Sequence, residues 1–239
     1  MIRFLAFITL CLSFSPLCQA QQLDPKYNRD SLFNALASKL PEAERRQFNE
    51  GYVTDDAKGK ESLVYMLHLP RSSKDKMTAT IGRKKPQITT LVKSYTALVA
   101  KGYTVYIEFN PEDKMFRMPA SINLHITQGA ETDTGHALLY GSAGLKKKLD
   151  QLGWTNQTLE KIKALLDNVG CISIKNGDDK TEIGFARSGM GKYGFLLFPK
   201  VLNNTEITAY NDGCHYLYHE NNLVLTYSNG GVGPDCFPD

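Results

Sequence analysis

The stretch "EIGFARSGMGKYGFLLF", residues 182–198, decides the fold because two apolar runs flank a glycine-rich segment. The runs "EIGFAR" and "YGFLLF" are rich in aromatic and β-branched residues, which is the composition of β-strands. The glycines between them supply the positive backbone φ angles that a tight hairpin loop needs. The stretch therefore predicts an antiparallel hairpin.

Within residues 186–194, three glycines beside Arg187 and Lys192 are also typical of a phosphate-binding loop. That loop follows the pattern G-x-x-x-x-G-K-[ST] between a strand and a helix. Here Ala186 stands where the first glycine is required, and Tyr193 stands where the hydroxyl is required. No helix is predicted after the segment to meet an anion. We therefore expect a turn, across which Arg187 and Lys192 face the same way and offer a weak anion contact.

The rest of the chain predicts an α+β fold. Residues 21–153 mix helices with strands, and residues 154–239 hold one helix and then an antiparallel β-meander, with both parts packed as one globular unit. Helices are predicted within residues 31–50 around Pro41, from Pro86 to Gly102, after Ser142 to Gly153, and from Leu159 to Gly170. Strands are predicted at 62–69, 76–81, 103–109, 114–118 and 121–127, and then at 171–174, 182–187, 193–198, 214–219 and 222–228.

Residues 1–20 have the layout of a secretory signal peptide. Arg3 gives the charged start, "FLAFITLCLSF" gives the apolar run, and Ala20 is the small residue before polar sequence. The run is shorter than the ~20 apolar residues that span a bilayer, although an N-terminal membrane anchor stays open as the alternative. We expect a secreted or periplasmic, soluble chain with no membrane span after cleavage.

The number of cysteines narrows the possible disulfide bonds. Of five cysteines, Cys171, Cys214 and Cys236 remain after cleavage, which allows one disulfide. The preferred pair is Cys214–Cys236 with Cys171 as a buried thiol, and three reduced thiols are the alternative.

The net charge of +3 is mild, and the basic clusters at 83–85 and 146–148 lack interleaved aromatic residues. Nucleic acid is therefore not expected as a partner.

Several sequence patterns that would indicate catalysis or metal binding are incomplete in this chain. Ser142 precedes Gly144 as in a nucleophile elbow, but Tyr140 takes the place of the first glycine, so Ser142 is expected to cap a helix. His215 and His219 lie four residues apart on a predicted strand, a separation of ~13 Å that no single zinc ion can bridge. No metal or cofactor is expected, although a metal site assembled from distant histidines, such as His125 and His136, stays open.

These exclusions leave a non-enzymatic binding protein as the leading hypothesis, with a protein or a cell-envelope component as its partner. The candidate contacts are the aromatic side chains of Tyr216, Tyr218 and Tyr227 in the C-terminal sheet. Half-buried packing within the sheet is the alternative role of these tyrosines. The alternative is a secreted hydrolase whose site is assembled from distant Ser142, His215 and His219. The glycosylation sequons at Asn156 and Asn203 matter only if the source glycosylates proteins.

Overall fold

The structure is a computed structural model that describes residues 22–229 and 235–237. The predicted signal peptide at residues 1–20 lies outside the described residues. Two compact units are present: the first holds the described residues up to Tyr65 together with Glu112–Pro119, and the second holds Met66–Pro111 and the residues from Ala120 onward. Strands from both sides of residue 153 belong to one sheet in the second unit.

The first unit is mainly helical, as predicted for residues 31–50. It contains α1 (Arg29–Ala37) and α2 (Glu42–Thr54), and α3 (Ala57–His68) begins within it. Asn28 caps α1 by accepting a hydrogen bond from the backbone N–H of Ser31. Phe33 stacks on Tyr52 with ring centroids 3.7 Å apart. Aromatic stacking thus joins α1 to α2.

Two predicted strands in this part of the chain are wrong. Residues 62–69 lie mostly in α3, because Val64 and Leu67 are spaced three apart and are both buried, as one helix face requires. Residues 114–118 form a turn that Asp113 and Met118 close with two backbone hydrogen bonds of 2.8 Å. The apolar residues of 114–118 suggested a strand, yet this turn buries Phe116 without one.

The second unit is built on one antiparallel sheet. Its strands are β1 (Tyr103–Asn110), β2 (Ser121–Gln128), β3 (Glu131–Asp133), β4 (Leu138–Leu139), β5 (Ser173–Lys175), β6 (Thr181–Ser188), β7 (Gly191–Leu197), β8 (Tyr216–Glu220) and β9 (Leu223–Ser228). The strand order is β3-β2-β1-β5-β6-β7-β9-β8, and β4 pairs with β2. The described residues contain seven helices and nine strands, so the predicted α+β class with its C-terminal strand meander is confirmed.

Four further helices follow α3: α4 (Lys74–Leu98), α5 (Ala143–Leu152), α6 (Asn156–Val169) and the short α7 (Asn204–Ala209). Gly153 and Gly170 end α5 and α6 in the left-handed conformation, as the sequence predicted. No helix was predicted where α7 lies. A capping box between Asn203 and Glu206 explains that helix. No helix of the described residues has the length and apolar character that a membrane span requires.

Helix α4 corrects the strand predicted at 76–81. It begins after Ser73, whose side chain accepts from the backbone N–H of Lys76, and it buries Met77 and Ile81 on one face. The helix kinks at Lys84 because Pro86 lacks a backbone N–H and crowds the preceding turn. The predicted start at Pro86 is therefore the start of the second, straight half of a longer helix.

The hydrophobic core of the second unit lies on one face of the sheet. Buried residues of α4, α5 and α6 pack there against alternate residues of the strands. Trp154 is part of this core, and its indole N–H donates to the carbonyl of Leu98 at 2.9 Å. The opposite face of the sheet therefore carries the remaining, mainly polar residues of β1 and β2.

The predicted cysteine chemistry is confirmed. Cys214 and Cys236 form a disulfide, and Cys171 is a buried free thiol. Burial raises the pKa of the Cys171 thiol to about 12, so it is unreactive at neutral pH. The disulfide holds Phe237 where its ring packs against Tyr193 and Tyr227.

Removing this disulfide tests the fold. The bridge closes a loop with a sequence separation of 22, and a loop of this size contributes ~3 kcal/mol by constraining the unfolded chain. We expect the double variant C214S/C236S to lose about that much unfolding free energy in urea, relative to wild type. Wild type under reducing conditions is the control and should match the variant. An unchanged unfolding midpoint in both samples would contradict this assignment.

Candidate functional site

The polar face of the sheet starts in β1 and β2. Alternate residues of each strand enter the core, so Tyr106 and Glu108 of β1 lie on the opposite face. In the antiparallel register Glu108 pairs with Asn123, and Tyr106 pairs with His125. These four side chains therefore share one surface, which we call the polar face.

A β-bulge in β6 shifts the side-chain alternation of this strand. Gly184 pairs with Gly194, but the next pair is Ala186 with Tyr193, so Phe185 is an extra residue. Phe185 and Ala186 both pack against the core as a result. A bulge of this kind re-aims the side chains that follow it.

The re-aimed residue is Arg187. If side chains alternated strictly from Ile183 onward, with no bulge, Arg187 would point toward the core. With it, Arg187 and its register partner Lys192 lie on the polar face. The bulge thus delivers a guanidinium to the neighbourhood of Glu108.

Glu108 is the centre of a buried hydrogen-bond network. It is only 2% exposed. One carboxylate oxygen, Oε1, accepts from Arg187 Nε at 3.0 Å and from Nη2 at 2.6 Å. The other, Oε2, accepts from the Tyr106 hydroxyl and from Asn123 Nδ2, the latter at 3.5 Å. Both carboxylate oxygens are thereby engaged.

The charges around this carboxylate set its ionisation. Burial alone would raise the pKa of Glu108, but the charges of Arg187 and Lys192 and the hydrogen bond from Tyr106 outweigh it, so the pKa lies below its ordinary value. Burial and the Glu108 charge both raise the pKa of the Tyr106 hydroxyl. At neutral pH the network therefore holds an ionised glutamate and a neutral tyrosine.

Lys192 lies across the sheet toward β1. Its ammonium donates to the Tyr106 hydroxyl at 3.1 Å and lies 5.0 Å from the centroid of that ring. Within residues 22–229 and 235–237, the ammonium forms an ion pair with no carboxylate. Burial and the charge of Arg187 lower the pKa of Lys192, and the charge of Glu108 opposes them without reversing the shift. Lys192 is thus a half-buried cation with no carboxylate in ion-pair contact among the described residues.

Two imidazoles flank the network. The rings of His125 and His136 meet edge to face with centroids 4.7 Å apart, and His125 Nε2 is buried with no hydrogen-bond partner among the described atoms. Burial, and then the charges of His136 and Lys148, lower the pKa of His125. Across the described part of the chain, no three His, Cys, Asp or Glu side chains gather in a group that could hold a metal ion.

Two cavities open on the polar face. The first, of about 550 Å³, is lined by Glu108, Arg187, His125 and His136, among others. The second, of about 480 Å³, is lined by Lys192, Ser173, Thr226 and Tyr216, among others. Tyr106 and Glu182 line both cavities, so the two adjoin. Hereafter these are called the first and the second cavity.

The charge balance of the cavities favours an anion. Arg187 pairs with Glu108, and Lys175 pairs with Glu182 at 3.3 Å. A further cation of the second cavity, Lys180, pairs with Asp179 at 3.2 Å. Lys192, which also lines the second cavity, is then the cation left without an ion pair among the described residues. Apart from the histidines, these residues carry one net positive charge, which can attract a carboxylate, sulfate or phosphate group.

The structure places the predicted contact residues in different settings. Arg187 and Lys192 are register partners on the polar face, and Tyr216 lines the second cavity. Tyr218 packs against a small cluster of Leu196, Phe198, Leu202 and Val224. Tyr227 is buried in the main core at 4% exposure, so most of its ring is not a contact surface.

The predicted hydrolase residues are not gathered in either cavity. Ser142 caps α5 by accepting from the backbone N–H of Leu145 at 3.2 Å, and it lines neither cavity. His215 is exposed and lines the second cavity, whereas His219 is exposed on the edge strand β8. Neither cavity therefore combines Ser142 with a histidine of the predicted set.

The sequence interpretation missed Tyr106, Glu108 and Asn123. A signal was present, because alternation in "YTVYIEF" and "SINLHIT" puts these three residues on the non-core side of predicted strands. A glutamate within an apolar strand is a candidate for a buried, paired carboxylate. The partner Arg187 could not be placed in this way, because the bulge is not visible in the pattern.

Comparisons with known proteins add no assignment: no protein-family model, no curated protein and no solved structure matches this chain.

Replacing Arg187 tests the network. R187M would leave the buried carboxylate of Glu108 without its guanidinium, and we expect a loss of about 3 kcal/mol in unfolding free energy at pH 7. The double variant E108Q/R187M removes the unpaired charge and should recover more than half of that loss, as measured by urea unfolding. An R187M protein as stable as wild type would show that the ion pair is not a structural constraint.

Proposed function

We propose that this chain is an exported, non-enzymatic binding protein whose polar face holds an anionic group of a cell-envelope component. The observation that carries the proposal is the half-buried ammonium of Lys192, which lines the second cavity and has no carboxylate in ion-pair contact among the described residues. The signal-peptide pattern of residues 1–20 supports export. The Cys214–Cys236 disulfide is compatible with an oxidising compartment.

An anion near Lys192 would gain interaction energy from two side chains. A partly buried charge is costly when it is unpaired, so an incoming anion offsets a cost that Lys192 already bears. Arg187 keeps 36% of its side chain exposed. Only its Nε and Nη2 atoms bond to Glu108, so guanidinium N–H donors remain for a ligand.

Binding fits the network better than proton transfer does. A general acid or base needs a pKa near the working pH and a free proton position. Glu108 has a lowered pKa and both oxygens engaged, and Tyr106 has a raised pKa. The hydrolase alternative stays a prediction that rests on Ser142, whose hydroxyl serves as a helix cap.

Sulfate is the simplest probe, because its charge does not change near neutral pH. We expect direct binding by calorimetry at constant ionic strength, and at least tenfold weaker binding by K192M, which keeps the aliphatic stem and removes the charge. A tenfold change corresponds to about 1.4 kcal/mol. Direct binding is needed because sulfate also stabilises proteins without binding to a site.

The matched control is K93Q. Lys93 is exposed on α4, so this variant removes one positive charge away from the polar face. It should bind sulfate within twofold of wild type. Equal weakening in K192M and K93Q would mean that only net charge matters, and no measurable binding by wild type would reject the proposed function.

A further inference from the structure

We propose that the ligand is an acidic oligosaccharide, with its anionic group at Lys192 and Arg187 and an adjoining sugar ring in the second cavity against Tyr216. This inference rests on the proposed function and names the ligand class. The two cavities adjoin at Tyr106 and Glu182, so one elongated molecule can occupy both.

The second cavity runs across the strands. Ser173, Gly184, Gly194, Thr226 and Tyr216 are successive register partners in β5, β6, β7, β9 and β8. At ~4.8 Å between strands, this row covers ~19 Å. It starts beside Glu108, which is the register partner of Ser173 in β1. The cavity is thus elongated and points from the charged network toward an aromatic wall.

Hydroxyl groups cover the middle of this row. A Cβ atom at Gly184 would lie 2.1 Å from Ser173 Oγ, and one at Gly194 would lie 3.0 Å from Thr226 Oγ1. The stem of Lys192 lies 3.4 Å from the same Cβ position at Gly184. The floor of the second cavity is therefore polar, and it places two hydroxyls near the Lys192 side chain.

Tyr216 forms the wall at the far end. It is 37% exposed, and its ring meets Tyr210 edge to face at 5.6 Å and 79°. Tyr210 is itself held by Lys180, whose ammonium donates to its hydroxyl at 3.3 Å. The Tyr216 ring is thereby oriented before a ligand arrives. The negative π face of such a ring attracts the polarised C–H groups on one face of a sugar ring.

The rim supplies both donors and acceptors. Thr226 and Ser228 offer hydroxyls, His215 offers an imidazole, and Asn229 offers an amide whose Nδ2 already bonds to Asp235 at 2.8 Å. One aromatic wall with several polar groups of both kinds suits a ring that carries many hydroxyls. Lys192 and Arg187 at the other end then favour sugars that also carry an acidic group.

The experiment compares four probes by calorimetry: sulfate, galacturonic acid, its linear trimer and the neutral trisaccharide maltotriose. Wild type should bind the acidic trimer at least tenfold more tightly than the acidic monomer and than maltotriose. Y216A and H215W should each reduce the affinity for the trimer to that for the monomer, while sulfate affinity stays within twofold. Tyr140, which is 49% exposed and lines neither cavity, provides the control variant Y140A, with no expected change.

The outcomes separate this inference from the proposed function. A trimer that binds no more tightly than the monomer, or that binds Y216A and H215W as well as wild type, overturns the oligosaccharide inference, while Lys192-dependent sulfate binding keeps the proposed function. Maltotriose bound as tightly as the acidic trimer, with no sulfate binding, overturns both. If Y216A does not fold, H215W at the exposed rim decides the question alone.

Discussion

The ion pair between Glu108 and Arg187 is the interaction on which the polar face depends. A carboxylate that is 2% exposed is tolerated in a sheet only when its charge and its lone pairs are satisfied. Arg187, Tyr106 and Asn123 supply those contacts from two other strands and from β1 itself. The positions of these four side chains are therefore set together.

The β-bulge at Phe185 makes this ion pair possible. It sends two successive residues toward the core and returns Arg187 to the opposite face, beside Lys192. The bulge thus places both cations of this strand pair on the same face of the sheet. Because Arg187 is neutralised by Glu108, Lys192 remains the unmatched charge, and the adjoining cavities give a ligand access to it.

Local sequence patterns were enough to predict most helices and strands, and tertiary packing explains the predictions that were wrong. Caps and glycine stops at Ser142, Gly153 and Gly170 act within a few residues, so those helices were predictable. The segments at 62–69 and 76–81 are rich in β-branched and apolar residues, but burial on one helical face overrides that preference. The site was harder to predict, because a register shift in β6 decides which way Arg187 points.

The central claim is that the polar face binds an anion at Lys192. The most direct test is a crystal structure of the protein with selenate, an anion whose selenium is located by anomalous scattering. We expect an anomalous peak on the polar face, with selenate oxygens ~3 Å from Lys192 Nζ and from a free N–H of Arg187. Selenate bound only at exposed lysines such as Lys93, with the polar face unoccupied, would contradict the account.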